Sequence, residues 1–323
     1  MLKLIMAFAV LAVVVVAGFA AAIAFGGPAQ LPPMQSVSDP FKSVDFSDLP
    51  PIQKYTARDG AQLAYRAYAP AGGVSKGSVV LVHGSSSRSD RIHPLAKGFA
   101  QAGYAAYALD IRGHGESGEK GQIAYVGQLE DDMEDFLKAV QPAGKKSLVG
   151  FSAGGGFVLR FAAESRRNLF DNYLLMSPFL SQNASTYRPA SGGWASVGMP
   201  RIVALFILNR IGISAFNDLP VVSYALRPDA QKLLTPYYAF ALAMNFRPNN
   251  DYRADIAAAT RPMEVLVGEK DEQFYPERFA AEFSSAGRTV PVTIVPAVNH
   301  IELTLTPAAV DAAIRAIGRL NGV

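Results

Sequence analysis

Ser152 stands in Gly150-Phe151-Ser152-Ala153-Gly154, after the run Ser147-Leu148-Val149 and ahead of 157–162, which reads as a helix. Strand, abrupt turn and helix in that order make a G-x-S-x-G turn, which strains the serine and requires neighbours without bulk. Such a turn lifts the hydroxyl clear of the sheet and sets it at the positive end of a helix dipole. A serine hydroxyl is a poor nucleophile near neutral pH, so it needs a base to take its proton and a carboxylate to orient that base. Of the four histidines, His83, His93 and His114 precede Ser152, and only His300 follows it. His300 falls just past the apolar run 292–295, and Asp271 just past 263–267. In open parallel sheets reactive groups gather on loops at the carboxyl ends of strands. Ser152, Asp271 and His300 are therefore the candidate nucleophile, orienting acid and base. Glu269 and Glu272 flank Asp271 and are alternative acids.

Positioning these groups is the task of the elements between them. Residues 78–82, 104–109, 146–149, 173–176, 263–267 and 292–295 read as strands, and 63–68 alternates behind the turn signal Asp59-Gly60. Helical patterns occupy 92–102, 128–140 and 155–163. A last helix over 308–320 has Thr306 as cap and Pro307 in its first turn. Strands that are apolar throughout and alternate with helices imply an α/β fold, a mostly parallel sheet covered on both faces. Residues 180–250 break this rhythm, with dense glycine, proline and aromatics and two apolar stretches, 202–208 and 237–244. They read as a mostly helical cap without strands, inserted over the carboxyl ends of the sheet.

Four motifs, in this order and strand context, give the chain a close resemblance to the α/β-hydrolase superfamily. They are Val82-His83-Gly84-Ser85, Asp110-Ile111-Arg112-Gly113-His114-Gly115-Glu116-Ser117, the turn at Ser152, and the late Asp271 and His300. The nearest branch holds monoacylglycerol lipases, lysophospholipases and the so-called serine aminopeptidases. The resemblance runs from about Tyr55 to the C-terminus and is weakest over the cap. It implies Ser152 as nucleophile, His300 as general base and Asp271 as acid, with backbone N–H groups of Ala153 and Ser85 as the oxyanion hole. The run Ser85-Ser86-Ser87 departs from the small or glycine residues frequent there and opens a shift of that donor by one position. His83 then braces the oxyanion loop, Asp110, Arg112 and His114 hold a turn, and His93 lies on a helix face. The acidic cluster Glu130-Asp131-Asp132 with Glu134-Asp135 reads as a solvated helix face and not as a metal site. No metal or organic cofactor is needed.

The 323 residues are 50% hydrophobic and 18% charged, which excludes disorder as the overall class. Thirty basic against 27 acidic residues leave +3, no basis for a nucleic-acid partner. With no cysteine, disulfides, thiolate chemistry and lipidation at an N-terminal cysteine are excluded. Lys3 precedes an uncharged apolar run, 4–25, long enough to cross a bilayer. It is read as a retained anchor with the catalytic part on the exported side. The alternative is a signal cleaved near Ala22-Ile23-Ala24, releasing a secreted protein. The expected organisation is an anchor or signal over 1–26, a linker over 27–50 acting as a free tether, core over 51–179, cap over 180–250 and core over 251–323. The expected activity is carboxylic ester hydrolysis through an acyl-enzyme, on lipid-derived substrates of monoacylglycerol or lysophospholipid type. Alternatives are a proline-iminopeptidase-like aminopeptidase, holding its substrate amine with Asp218 or Asp229, and a catalytically silent binding protein.

Overall fold

The N-terminal apolar run forms a single helix, α1 (Leu2–Phe25), with an 18-residue stretch of mean hydropathy 2.8 and no residue buried, in a computed structural model that describes residues 1–34, 39–189 and 193–322. The first part of the core carries strands β1 (Ile52–Thr56), β2 (Gln62–Tyr68), β3 (Ser78–Val82), β4 (Ala105–Leu109), β5 (Lys146–Phe151) and β6 (Asn172–Met176). Between them lie helices α2 (His93–Gln101), α3 (Gln128–Val140) and α4 (Ala153–Ala163). The insertion follows, with β7 (Ala195–Val197), α5 (Met199–Arg210), β8 (Pro220–Tyr224), β9 (Tyr237–Ala239) and α6 (Phe240–Asn245). The chain returns to the core through α7 (Tyr252–Ala258), β10 (Met263–Gly268), α8 (Phe279–Ser285), β11 (Val292–Val295) and α9 (Pro307–Asn321).

Eight strands form one sheet in the order β1-β2-β4-β3-β5-β6-β10-β11. Only the β1–β2 hairpin and its join to β4 are antiparallel; every pairing from β4 to β11 is parallel. The hairpin turns at Asp59-Gly60, where Gly60 takes a φ of 85° and Asp59 Oδ1 accepts the Ala61 N–H. Every residue of β3, β6 and β10 is buried, which explains why these strands read as mostly apolar runs; the exception inside β10, Glu264, pairs with Arg319. On one face α2 and α9 supply Leu95, Phe99, Ala313 and Ile317 to a core layer. On the other, α3, α4 and α8 supply Met133, Phe136, Phe157, Phe161 and Phe279.

Three expectations are corrected. The insertion holds a three-stranded antiparallel sheet, β7-β8-β9, beside its helices. Its strands are three to five residues long, too short for a period to show in the sequence. The linker is not a free tether: Ala29 N–H donates to Ser196 Oγ, Ser223 Oγ donates to Ala29 O, and Met34 N–H donates to Ala225 O. Further on, Asp48 pairs with Lys97 and faces His93. The acidic cluster on α3 is not a solvated face, because Glu130, Asp132 and Asp135 are buried. Arg160 pairs with Glu130, Arg112 with Asp132, and Arg58 with Asp135. An arginine for each carboxylate is what makes their burial tolerable.

Candidate active site

At the end of β5 the chain reverses into α4 within one residue, and Ser152 carries the strain at φ 55° and ψ −118°. Its N–H donates to Met176 O (2.9 Å), and its carbonyl accepts the N–H groups of Gly156 and Phe179 (3.0 Å each). These bonds hold a conformation that a serine would not adopt alone. The flanking glycines are required by contact: a Cβ on Gly150 would lie 2.3 Å from Gly154 O, and one on Gly154 would lie 2.3 Å from His83 O.

His300, on the loop after β11, places Nε2 3.1 Å from Ser152 Oγ. Its Nδ1 lies 2.9 Å from Asp271 Oδ2, on the loop after β10. The imidazole sits between the rings of Phe151 and Phe274, at 4.8 and 5.3 Å. The acid is held on both oxygens. Ser177 Oγ donates to Oδ2 (2.7 Å), and the N–H groups of Gln273 and Phe274 donate to Oδ1 (2.8 and 2.9 Å). The neighbouring carboxylates are committed elsewhere: Glu269 accepts the Ala297 N–H and Glu272 the His300 N–H. Asp271, not a flanking glutamate, faces the imidazole.

Burial acts to lower the His300 pKa, but the Asp271 charge and hydrogen bond, with Glu272 behind them, outweigh it and leave the imidazole above its usual 6.5. Burial raises Asp271 in turn, yet the charge and hydrogen bond of His300 and the donors Ser177 and Gln273 bring it below the ordinary carboxylate value. The pair thus favours an ionised acid beside an imidazole that gains a proton readily.

The loop after β3 faces this chain of bonds. Ser85 and Ala153 both line the same cavity as Ser152 and His300. In the run Ser85-Ser86-Ser87, Ser86 N–H is taken by Tyr238 Oη (2.7 Å) and Ser87 N–H by Gly84 O (3.3 Å). His83 lies behind the loop, with Nδ1 2.8 Å from Gly84 O and Nε2 accepting the Ile111 N–H at 3.3 Å. His114 is fully buried, and desolvation lowers its pKa well below the usual value. Its Nδ1 faces the carbonyls of Ile111 and Arg112, so Nε2 accepts from Tyr238 Oη at 2.6 Å. Asp110 accepts the N–H groups of Ser89 and Glu116, and Arg112 pairs with Asp132 and Asp59. His93 is buried at the start of α2, between Tyr68 and Asp48.

Sequence reasoning missed Ser177, Trp194, Tyr224 and Tyr238. Ser177 ends β6 at the same rim as the other groups, a placement that alone could have marked it. Trp194 Nε1 donates to Ser85 Oγ (3.0 Å), and Tyr224 stacks between Trp194 and Tyr238. No spacing rule joins these three. They meet because β8 and β9 bring them over the β3 loop.

The cavity above Ser152 measures about 770 Å³ and is walled by Ile202, Phe206, Val222, Leu234 and Met244 of the cap. Arg247 also borders it, donating to Asn250 Oδ1, with burial lowering its pKa. Among the described residues Glu272 is the only acidic residue on its lining. Asp218 and Asp229, the candidates for holding an amine under the aminopeptidase alternative, are exposed and lie outside it, Asp229 paired with Arg227.

Residues 73–300 match the family model described as serine aminopeptidase, S33. The chain belongs to that family, within the α/β-hydrolases. Among curated relatives of this S33 chain, the monoacylglycerol lipase of Mycolicibacterium smegmatis is 38% identical over 94 residues. That stretch covers 27% of this chain and a third (33%) of the lipase. Among solved structures, the yeast (Saccharomyces cerevisiae) monoglyceride lipase bound to a substrate analogue superposes with a TM-score of 0.63 at 16% identity, covering 86% of this chain and 97% of that one. The monoacylglycerol lipase of Paleococcus ferrophilus gives 0.56 at 22%, covering 80% and 98%. At these identities the structural matches speak for the S33 chain's fold: a mostly parallel eight-stranded sheet of α/β-hydrolase type.

Proposed function

We propose that this α/β-hydrolase is a serine esterase that cleaves single-chain lipid esters of the monoacylglycerol or lysophospholipid kind through an acyl-enzyme. The observation that carries the reading is the unbroken chain Ser152–His300–Asp271 at the floor of a largely apolar cavity. In this reading His300 Nε2 takes the hydroxyl proton as Ser152 Oγ bonds to the ester carbon. The tetrahedral oxyanion accepts from the N–H groups of Ser85 and Ala153. As the C–O bond breaks, His300 returns the proton to the departing alcohol. A water deprotonated by the same imidazole then releases the fatty acid and restores Ser152. Asp271 keeps the Nδ1–H tautomer and stabilises the imidazolium.

The walls given by Ile202, Phe206, Val222 and Leu234 suit an acyl chain. The printed activities of the three lipases the chain resembles point the same way. An aminopeptidase would require a carboxylate free to bind the substrate's ammonium, and Glu272 is engaged by the His300 N–H. We also infer that α1 is a retained membrane anchor, since its last turn is bonded into the folded part rather than trailing from it.

The test uses the full chain in detergent micelles. Wild type is expected to hydrolyse 1-monooleoylglycerol and p-nitrophenyl esters and to be labelled by a fluorophosphonate, with both lost in Ser152→Ala. Labelling that persists in that variant overturns the nucleophile. Turnover of proline p-nitroanilide without any ester turnover overturns the substrate class.

A further inference from the structure

Exposed large apolar side chains outside α1 are concentrated. After Phe25 twelve occur among the described residues, and seven of them (Val197, Met199, Val203, Ile207, Ile211, Ile213 and Phe216) fall within twenty residues of the cap. Only Ala204 and Leu205 of α5 are buried. No acidic residue occurs between Asp171 and Asp218, while Arg201 and Arg210 bracket the apolar turns of α5. A clustered apolar surface with basic and no acidic members suits the headgroup boundary of a lipid bilayer better than water.

The same segment is bonded to the anchor. Arg201 donates from Nε to Ile23 O (2.8 Å) and from Nη2 to Ala24 O (3.1 Å), the open carbonyls at the end of α1. Its Nη1 donates to Pro220 O at the start of β8 (2.7 Å). One guanidinium thus ties the anchor's last turn to both cap elements. The backbones meet closely too: a Cβ on Gly198 would lie 2.7 Å from Gly26 O, and one on Gly26 would lie 2.8 Å from Pro200 Cβ. A 24-residue helix is about 36 Å long, enough to cross the hydrocarbon and leave its final turn at the interface. Whatever is clamped to that turn lies at the interface with it. Val197, Met199 and Val203 are at once solvent-exposed and part of the cavity lining, so they form a rim of the cavity on this side.

We propose that α1 and residues 197–216 act as one membrane-engaging unit, clamped by Arg201, which sets the cavity's apolar rim against the bilayer surface so that an ester enters from lipid. This rests on the ester and anchor readings above. Its test separates them. The chain has no cysteine, so Ile207→Cys, Ile211→Cys and Val74→Cys each give one labelling site. Val74 precedes β3, at the end of the sheet away from the cap. Full-length protein bearing an environment-sensitive fluorophore is reconstituted into phosphatidylcholine vesicles containing doxyl-labelled lipid.

Labels at 207 and 211 are expected to be quenched and blue-shifted and the label at 74 to be neither, all three variants floating with the vesicles. Arg201→Gln should float but lose about tenfold in turnover of vesicle-borne monooleoylglycerol, with p-nitrophenyl butyrate changed less than about twofold, as displacement of the rim from lipid requires. Flotation with unquenched labels at 207 and 211 overturns the inference while the anchor stands. Equal losses on both esters in Arg201→Gln overturn the clamp. Failure of wild type to float overturns the anchor and this inference together. Absence of ester turnover in detergent overturns the enzymatic reading instead.

Discussion

The floor of the cavity and its roof are built by opposite rules. Below, every group is over-determined: Ser152 by three backbone bonds, Asp271 by two backbone N–H groups, the Ser177 hydroxyl and His300, and the β3 loop by His83. Above, Ile202, Phe206, Val222 and Leu234 offer contact without direction, and most of α5 is only half covered. Bond-making needs distances held to fractions of an ångström, whereas an acyl chain needs only dry volume. The contrast therefore separates what sets rate from what sets substrate choice.

Variants can break or sharpen that division. Ser152→Ala should lower kcat on all esters by about 10⁴-fold or more, with KM little altered, as measured with p-nitrophenyl butyrate. Asp271→Asn should lower kcat about 10³-fold. It also carries a pH signature. Because Asp271 holds the His300 pKa above 6.5, and the base must be neutral, kcat/KM of wild type should fall as pH drops through a value above 6.5. Removing the carboxylate leaves burial dominant, so that limb should move to lower pH; an unmoved limb would mean another group titrates.

Tyr238→Phe tests the join between roof and floor. It strips the partner from Ser86 N–H and from His114 Nε2, and should cost about 1–3 kcal/mol in denaturant unfolding. With the β3 loop loosened, kcat should fall about tenfold on every ester. Phe206→Ala, purely a wall residue, should lower kcat/KM about tenfold for long acyl chains, the loss shrinking as the chain shortens. If Phe206→Ala depressed kcat on p-nitrophenyl acetate as much as Tyr238→Phe does, the division would not hold.

Much of the floor was legible because its residues obey local rules. Gly150, Ser152 and Gly154 announce a turn that tolerates nothing larger, and β3, β6 and β10, buried on both faces, leave mostly apolar runs. Asp271 and His300 were placed by falling just after two strand candidates, 263–267 and 292–295. The choice of Asp271 over Glu269 and Glu272 was not legible, since side-chain direction on a loop depends on bonds such as Glu269 to Ala297. Nor was the cap sheet: Tyr237-Tyr238-Ala239 ends a strand where α6 begins at Phe240, and one apolar run covers both. The α3 carboxylates looked solvated because Arg58, Arg112 and Arg160, which neutralise them, are distant in sequence and met only through the fold. The bonded linker was hidden for a similar reason, as Ala29 and Met34 dock through backbone groups that carry no residue signature.

Trp194 and Tyr238 belong to the roof, yet they grip Ser85 and Ser86. Lifting β8 and β9 like a hatch would tear both grips loose and disarrange the β3 loop just as cargo arrived. The entry from lipid proposed above, over the rim at Val197, Met199 and Val203, spares them. Admission and readiness for reaction need not then compete, and the protein can stay fully assembled while it loads.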